Sequence, residues 1–147
     1  MTPSPVTLYP EEVQLRSRRP RLAVIAHDGK KADLVAFATF NRDRLREYDL
    51  VATSATGDLL ASKVGLNVER VSSGPNGGDV QIASRVVQGD IDAVLFIVDP
   101  LDKHPHDPDI QTLLRICNVR NIPLATNIAT ADVLISSPLL EDLRQAG

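Results

Sequence analysis

Short apolar runs alternate along this chain with longer stretches in which apolar residues recur every three or four positions. Leu22-Ala23-Val24-Ile25-Ala26 is apolar on both faces and too short for a helix, so it predicts a central strand. Lys30–Phe40 carries Leu34, Phe37 and Ala38 at helical spacing, with Lys30, Lys31 and Asp33 opposite, after an Asp28-Gly29 start signal. Asp49–Thr53 predicts a second strand, Thr53–Gly57 a turn of hydroxyls and small residues, and Asp58–Val64 a short helix capped by Gly65. Asn67–Val71 alternates Val68 and Val71 with polar neighbours, as an edge strand does.

After a glycine-rich stretch, Val80, Ala83 and Val87 form one stripe, with Ile82 and Val86 beside them, predicting a helix over Val80–Gln88 buried against the sheet. Ile91–Val98 holds the most apolar run and predicts the middle strand. Ile110, Leu113, Leu114 and Cys117 repeat at helical spacing behind Asp107-Pro108-Asp109, where Asp caps and Pro suits the first helical position. Pro123–Thr126 is a short fifth strand and Ala129–Ser136 a last helix. Strands alternating with helices of this length predict an α/β fold: a three-layer α/β/α arrangement around a five-stranded parallel sheet.

Composition agrees with that sheet. The 147 residues are 43% hydrophobic and 3% aromatic, so the core is built from Val, Leu, Ile and Ala, as in buried parallel strands. That length predicts a single domain over residues 21–147, preceded by a flexible lead-in over 1–20 that carries scattered Pro and Arg16, Arg18 and Arg19 but no signal-peptide core. The net charge of −3 gives no electrostatic reason for nucleic acid, and no run approaches the ~18 apolar residues of a membrane span. Cys117, the one cysteine, fits a cytoplasmic setting and falls on the inner face of its helix as a packed thiol.

The candidate chemistry centres on Ser73-Gly74-Pro75-Asn76-Gly77-Gly78-Asp79. A glycine-rich turn running from a strand into a helix offers bare N–H groups and a positive dipole end to an anion such as phosphate. Asp79 would repel that guest unless it has work to do there, such as abstracting a proton. Asp is also an ordinary cap, and Gly-Gly an ordinary turn. Ligands of open parallel sheets bind beyond the carboxyl ends of the strands. The polar clusters fall at those ends: His27 and Asp28, Thr53 to Thr56, Ser73 to Asp79, Asp99 with His106 to Asp109, and Asn127.

Neither G-x-G-x-x-G nor G-x-x-x-x-G-K-[ST] occurs, and the histidines show no metal-ligand spacing. His27 could hydrogen-bond a carbonyl or polarise a substrate oxygen. Lys30 and Lys31 could be solvated or reach an anion, and Asp107 reads as a helix cap. His106 precedes that cap, where the helix dipole disfavours an imidazolium and Asp107 and Asp109 favour it; the expectation is a neutral imidazole. Together these groups supply a carboxylate base, imidazoles for an oxyanion and a phosphate cradle. Those are the parts for removing a proton beside a carbonyl in a small phosphorylated substrate.

The chain resembles the methylglyoxal synthase family in Ala26-His27-Asp28 with Lys31, Ala52-Thr53 through Thr56-Gly57, Ser73-Gly74-Pro75 through Gly77-Gly78-Asp79 and Gln81, Asp99-Pro100-Leu101, Pro105-His106-Asp107-Pro108-Asp109, and Ile122–Asn127. The resemblance implies elimination of phosphate from dihydroxyacetone phosphate to give methylglyoxal, with no cofactor and no metal, in a cytoplasmic homohexamer inhibited by phosphate. By position it implies Asp79 as general base, His27 and His106 on the enediolate oxygens, and Asp28 and Asp109 as assisting carboxylates. Lys31, Thr53, Thr56, Ser73 and Gly74 would form the phosphate cradle. Ala55 stands where the family usually has a threonine hydroxyl, and the chain stops soon after Leu140, where some members carry a longer tail linked to phosphate control. The alternative is a non-catalytic phosphate or small-anion effector module of the same fold, as in carbamoyl phosphate synthetase. Such a sensor needs none of Asp79, His27, His106 and Asp109.

Overall fold

The computed structural model describes residues 19–101 and 110–137. In chain order the elements are β1 (Arg21–Ala26), a 3-10 turn at Asp28–Lys30, α1 (Lys31–Phe40), α2 (Arg42–Leu45) and β2 (Asp49–Ala52). Next come α3 (Ser54–Leu59), widening into a π turn at Leu60–Val64, then β3 (Val68–Arg70), a 3-10 turn at Gly74–Asn76 and α4 (Gly78–Val87). β4 (Ala93–Ile97), α5 (Ile110–Arg120), β5 (Leu124–Ala125) and α6 (Ile128–Ile135) follow.

The strands pair in parallel in the order β3-β2-β1-β4-β5. β3 is an edge, as its exposed polar residues Glu69 and Arg70 fit. The middle strand is β1 and not β4, which lies between β1 and β5. Both runs are apolar on both faces, and the run alone does not tell the centre from its neighbour.

Strand alternation sorts the side chains into two cores. Leu22, Val24 and Ala26 of β1, with Ala93, Leu95 and Ile97 of β4, face α1 and α6 through Leu34, Phe37, Ala38, Ala131 and Ile135. Ala23 and Ile25, with Val51, Val94 and Phe96, face α4 and α5 through Ile82, Ala83, Val86, Leu113 and Cys117. Each fully buried Leu, Ile or Phe contributes about 1.5–3 kcal/mol, so both layers are held by area removed from water. Burial pushes the Cys117 thiol up to about 11, which keeps it a neutral packing group.

Three expectations shift. The buried stripe of α4 is Asp79, Ile82, Ala83 and Val86, whereas Val80 and Val87 are exposed, because the helix is rotated to put its Ile and the carboxylate inward. Thr53–Gly57 is not a free turn: the helix begins at Ser54, with Thr53 as its extended N-cap and Gly65 closing the π turn at φ 80°. Leu114 lies on the rim of its helix, 40% exposed, while Leu113 and Cys117 point in.

Candidate active site

All the polar clusters legible in the sequence that fall on described residues follow the carboxyl ends of strands. In sheet order these are Ser73 to Asp79 after β3, Thr53 and Thr56 after β2, His27, Asp28 and Lys31 after β1, Asp99 after β4 and Asn127 after β5. The chain winds outward from β1 through β2 to β3, then crosses to β4 and β5 on the other side. The topological switch point therefore lies between β1 and β4, the ordinary place for a crevice.

Parity along the strands selects the face. In β1 the residues Ala23 and Ile25 point toward α4 and α5, and His27 continues that alternation; in β2, Thr53 continues it from Val51. The His27 ring meets Phe96 of the same core edge-on, with centroids 5.3 Å apart and planes at 85°. Asp79 continues the buried stripe of α4 into the same layer. Imidazole, hydroxyl and carboxylate thus crown one core.

Among the described residues, the buried polar or charged side chains are His27 (7% exposed), Thr53 (3%), Thr56 (1%) and Asp79 (6%). Every one is a residue singled out for chemistry. Burying a hydroxyl or amide without full compensation costs about 1–3 kcal/mol on mutational scales, and an ion costs more, so a fold selected for stability alone would bury none of them together.

Local structure aims these groups. The main-chain N–H of Asp99 donates to His27 Nδ1 at 3.0 Å, bridging the switch point, and the His27 N–H donates to the Ile97 carbonyl at 3.0 Å. A ring nitrogen that accepts carries no proton, so the imidazole hydrogen sits on Nε2 and that edge is the donor. Asp99 Oδ1 accepts from the Leu101 N–H at 3.0 Å, which holds the donating peptide in place. The sequence marked Asp99 as a polar strand end; only the fold shows that its backbone orients His27.

The glycine-rich stretch folds as two stacked turns. Ser73 accepts from both Asn76 N–H (3.0 Å) and Gly78 N–H (2.9 Å), and Gly77 takes φ 91°, a left-handed conformation that favours glycine. Gly78 serves close approach: a Cβ there would lie 1.9 Å from the Ser72 carbonyl oxygen and 3.0 Å from Thr53 Cγ2. The loops after β2 and β3 therefore touch through this glycine. Thr53 and Ser73 stand at N-cap positions, yet neither side chain caps its own helix. Thr53 Oγ1 donates weakly to Thr56 Oγ1 at 3.4 Å. Asp79, in the first turn of α4, sits where the helix dipole favours a carboxylate by about 0.3–1 kcal/mol.

Lys31 Nζ pairs with Asp28 Oδ1, so the expected phosphate cation and the expected assisting carboxylate form one unit at the start of α1. Gly74 opens the 3-10 turn beside Ser73. Ala55 is exposed at the second position of α3 and offers no hydroxyl. His106, Asp107 and Asp109 lie outside the described residues; Ile110, which opens α5, packs against the core that His27 and Asp79 crown.

Comparison with known proteins gives the family. Residues 33–126 match the family model described as the MGS-like domain. A methylglyoxal synthase of Cupriavidus pinatubonensis is 52% identical over 118 residues, covering 80% of this chain and 91% of that protein. The chain belongs to the methylglyoxal synthase family. A methylglyoxal synthase of Thermus thermophilus is 52% identical over 115 residues, with 78% of this chain and 91% of that one covered. The crystal structure of methylglyoxal synthase from Elizabethkingia anophelis superposes with a TM-score of 0.81 at 44% identity, covering 84% of this chain and 81% of that one. The three-layer fold is thus the methylglyoxal synthase fold.

Proposed function

We propose that this protein is a lyase that eliminates phosphate from dihydroxyacetone phosphate, giving methylglyoxal and inorganic phosphate. The observation that carries the reading is the burial of Asp79, His27, Thr53 and Thr56 in the segments that follow the carboxyl ends of the strands, in a chain of this family. Asp79 takes the proton from the carbon beside the carbonyl, and the electron pair moves onto the carbonyl oxygen. His27 Nε2–H and the neutral His106 donate to the enediolate oxygens and stabilise the charge as it develops. Collapse of the enediolate, with the hydroxyl on the deprotonated carbon becoming the aldehyde and giving up its proton, breaks the C–O bond to phosphate, which leaves with that proton. The enolate left behind takes up a proton on its terminal carbon to become methylglyoxal. Ser73, Gly74, Thr53, Thr56 and Lys31 hold the phosphate so that this bond lies out of the enediolate plane. Asp28 assists by orienting Lys31, and Asp109 is the second assisting carboxylate by its position in the family's motif. An effector module would have no use for a buried carboxylate base and a buried donor imidazole at the same sheet edge.

Incubating the pure protein with dihydroxyacetone phosphate and assaying methylglyoxal and released phosphate tests the reading directly; no product at saturating substrate would refute it. Assembly as a cytoplasmic homohexamer with feedback by phosphate belongs to the same proposal, and light scattering reads the assembly. Among the described residues no helix is long and apolar enough to cross a membrane.

The tautomer makes a sharper demand on His27. His27→Gln places an amide N–H near the Nε2 position, whereas His27→Asn keeps only an acceptor near Nδ1. His27→Gln is expected to retain at least tenfold more kcat than His27→Asn, within the 10²–10⁴-fold range of such groups. Equal losses would remove Nε2–H from the mechanism.

Ala55→Thr is expected to supply the hydroxyl the family usually has. Substrate KM and the inhibition constant for phosphate should both fall, by up to about tenfold for a hydrogen bond of ~1 kcal/mol. Unchanged phosphate inhibition would place position 55 outside the cradle.

A further inference from the structure

The last hydrogen bond tying the chain after β3 to its sheet neighbour runs from Val71 N–H to the Ala52 carbonyl at 2.9 Å. One residue later β2 has turned into the N-cap of α3, and Ser72 has no strand to pair with. Its N–H donates instead to Gln81 Oε1 at 2.7 Å. The other side of Ser72 abuts the same helix, its carbonyl oxygen lying 1.9 Å from where a Cβ of Gly78 would stand. Ser72 is thus clamped at both its N–H and its carbonyl to the first turns of α4. It is the residue before Ser73 and Gly74, and α4 carries Asp79.

We infer that Gln81 is a positioning residue: its side-chain carbonyl replaces the missing strand partner and sets the phosphate-binding loop at a fixed distance from the catalytic base. This rests on the proposed function for the roles of Ser73, Gly74 and Asp79. Gln81 is solvent-exposed and lies off the buried stripe of α4, so core packing gives it no other task. Glutamine is long enough to reach back over two turns of loop and offers an acceptor without adding negative charge beside a phosphate. Loss of such a bond, at about 0.5–1.5 kcal/mol, converts to a two- to tenfold change in loop-dependent binding.

The test compares the full-length wild type with Gln81→Leu and Gln81→Glu. Hydrogen exchange followed by mass spectrometry over residues 71–79 reads the clamp, and inorganic phosphate is the binding probe. In Gln81→Leu, exchange at Ser72 is expected to accelerate, while the KM for dihydroxyacetone phosphate and the Kd for phosphate rise together two- to tenfold. The thermal midpoint should fall by no more than a few degrees. Gln81→Glu keeps an acceptor oxygen at the same reach and should restore Ser72 protection, while its added negative charge leaves phosphate affinity below that of the wild type. Unchanged exchange in Gln81→Leu would overturn the clamp, and accelerated exchange with unchanged KM and phosphate affinity would reduce it to a structural contact. A wild type that makes no methylglyoxal would instead refute the proposed reaction, and the exchange and phosphate measurements would still decide the role of Gln81.

Discussion

Asp79→Asn is expected to lower kcat by 10²–10⁴-fold while substrate binding stays intact or tightens. The amide keeps the shape and volume of the carboxylate on the buried stripe of α4, so Ile82, Ala83 and Val86 pack as before. What is lost is the proposed proton acceptor, together with the negative charge that would oppose a phosphate at the N-terminal turn. Steady-state kinetics with dihydroxyacetone phosphate, paired with phosphate titration calorimetry, separate the two effects. A variant retaining more than about a tenth of the wild-type kcat would move the base elsewhere, with Asp109 the next candidate.

Gly78→Ala is the second large effect, and it acts without removing any functional group. The new Cβ would sit 1.9 Å from the Ser72 carbonyl oxygen and 2.9 Å from its carbon, both main-chain atoms that no rotamer change can clear. The loop and the first turn of α4 must therefore separate by about 1 Å, and misplacement on that scale can cost about 10²-fold in rate. Overpacking of this kind also costs about 1–3 kcal/mol of stability, so the thermal midpoint should fall by several degrees. Gly65→Ala is the control. It strains a left-handed residue at φ 80° with nothing within 4 Å of the new methyl, so it should lower stability and leave kcat/KM unchanged. Wild-type kcat/KM in Gly78→Ala would mean that the spacing between the two loops does not matter to the reaction.

Much of this protein is written in local order along the chain. Apolar runs at Leu22–Ala26 and Ala93–Ile97 declare buried strands, and the repeat through Leu34, Phe37 and Ala38 declares a helix, because period and burial are properties of neighbouring residues. The four buried polar side chains among the described residues were all legible beforehand, since each belongs to a polar cluster that follows a strand, where a stable core has no need of it. The Gly77-Gly78 doublet marked the loop; the separate tasks of its two glycines, one for φ and one for close approach, did not show.

What neighbours along the chain could not settle is anything fixed by a partner far away in sequence. α4 offers two apolar stripes, through Val80 and Val87 or through Ile82 and Val86, and only packing against the sheet and α5 chose the second and turned Asp79 inward. Thr53–Gly57 has weak intrinsic helix propensity, which tertiary contacts override by starting α3 at Ser54. α2 spans less than two turns, too short for a period to register. The central place of β1 and the hold of the Asp99 N–H on His27 arise because strands distant in sequence pair side by side. So does the bond from Ser72 to Gln81, made where β3 has run past its neighbour. Each is a contact between backbones or across layers, and a linear pattern of side chains carries no record of it.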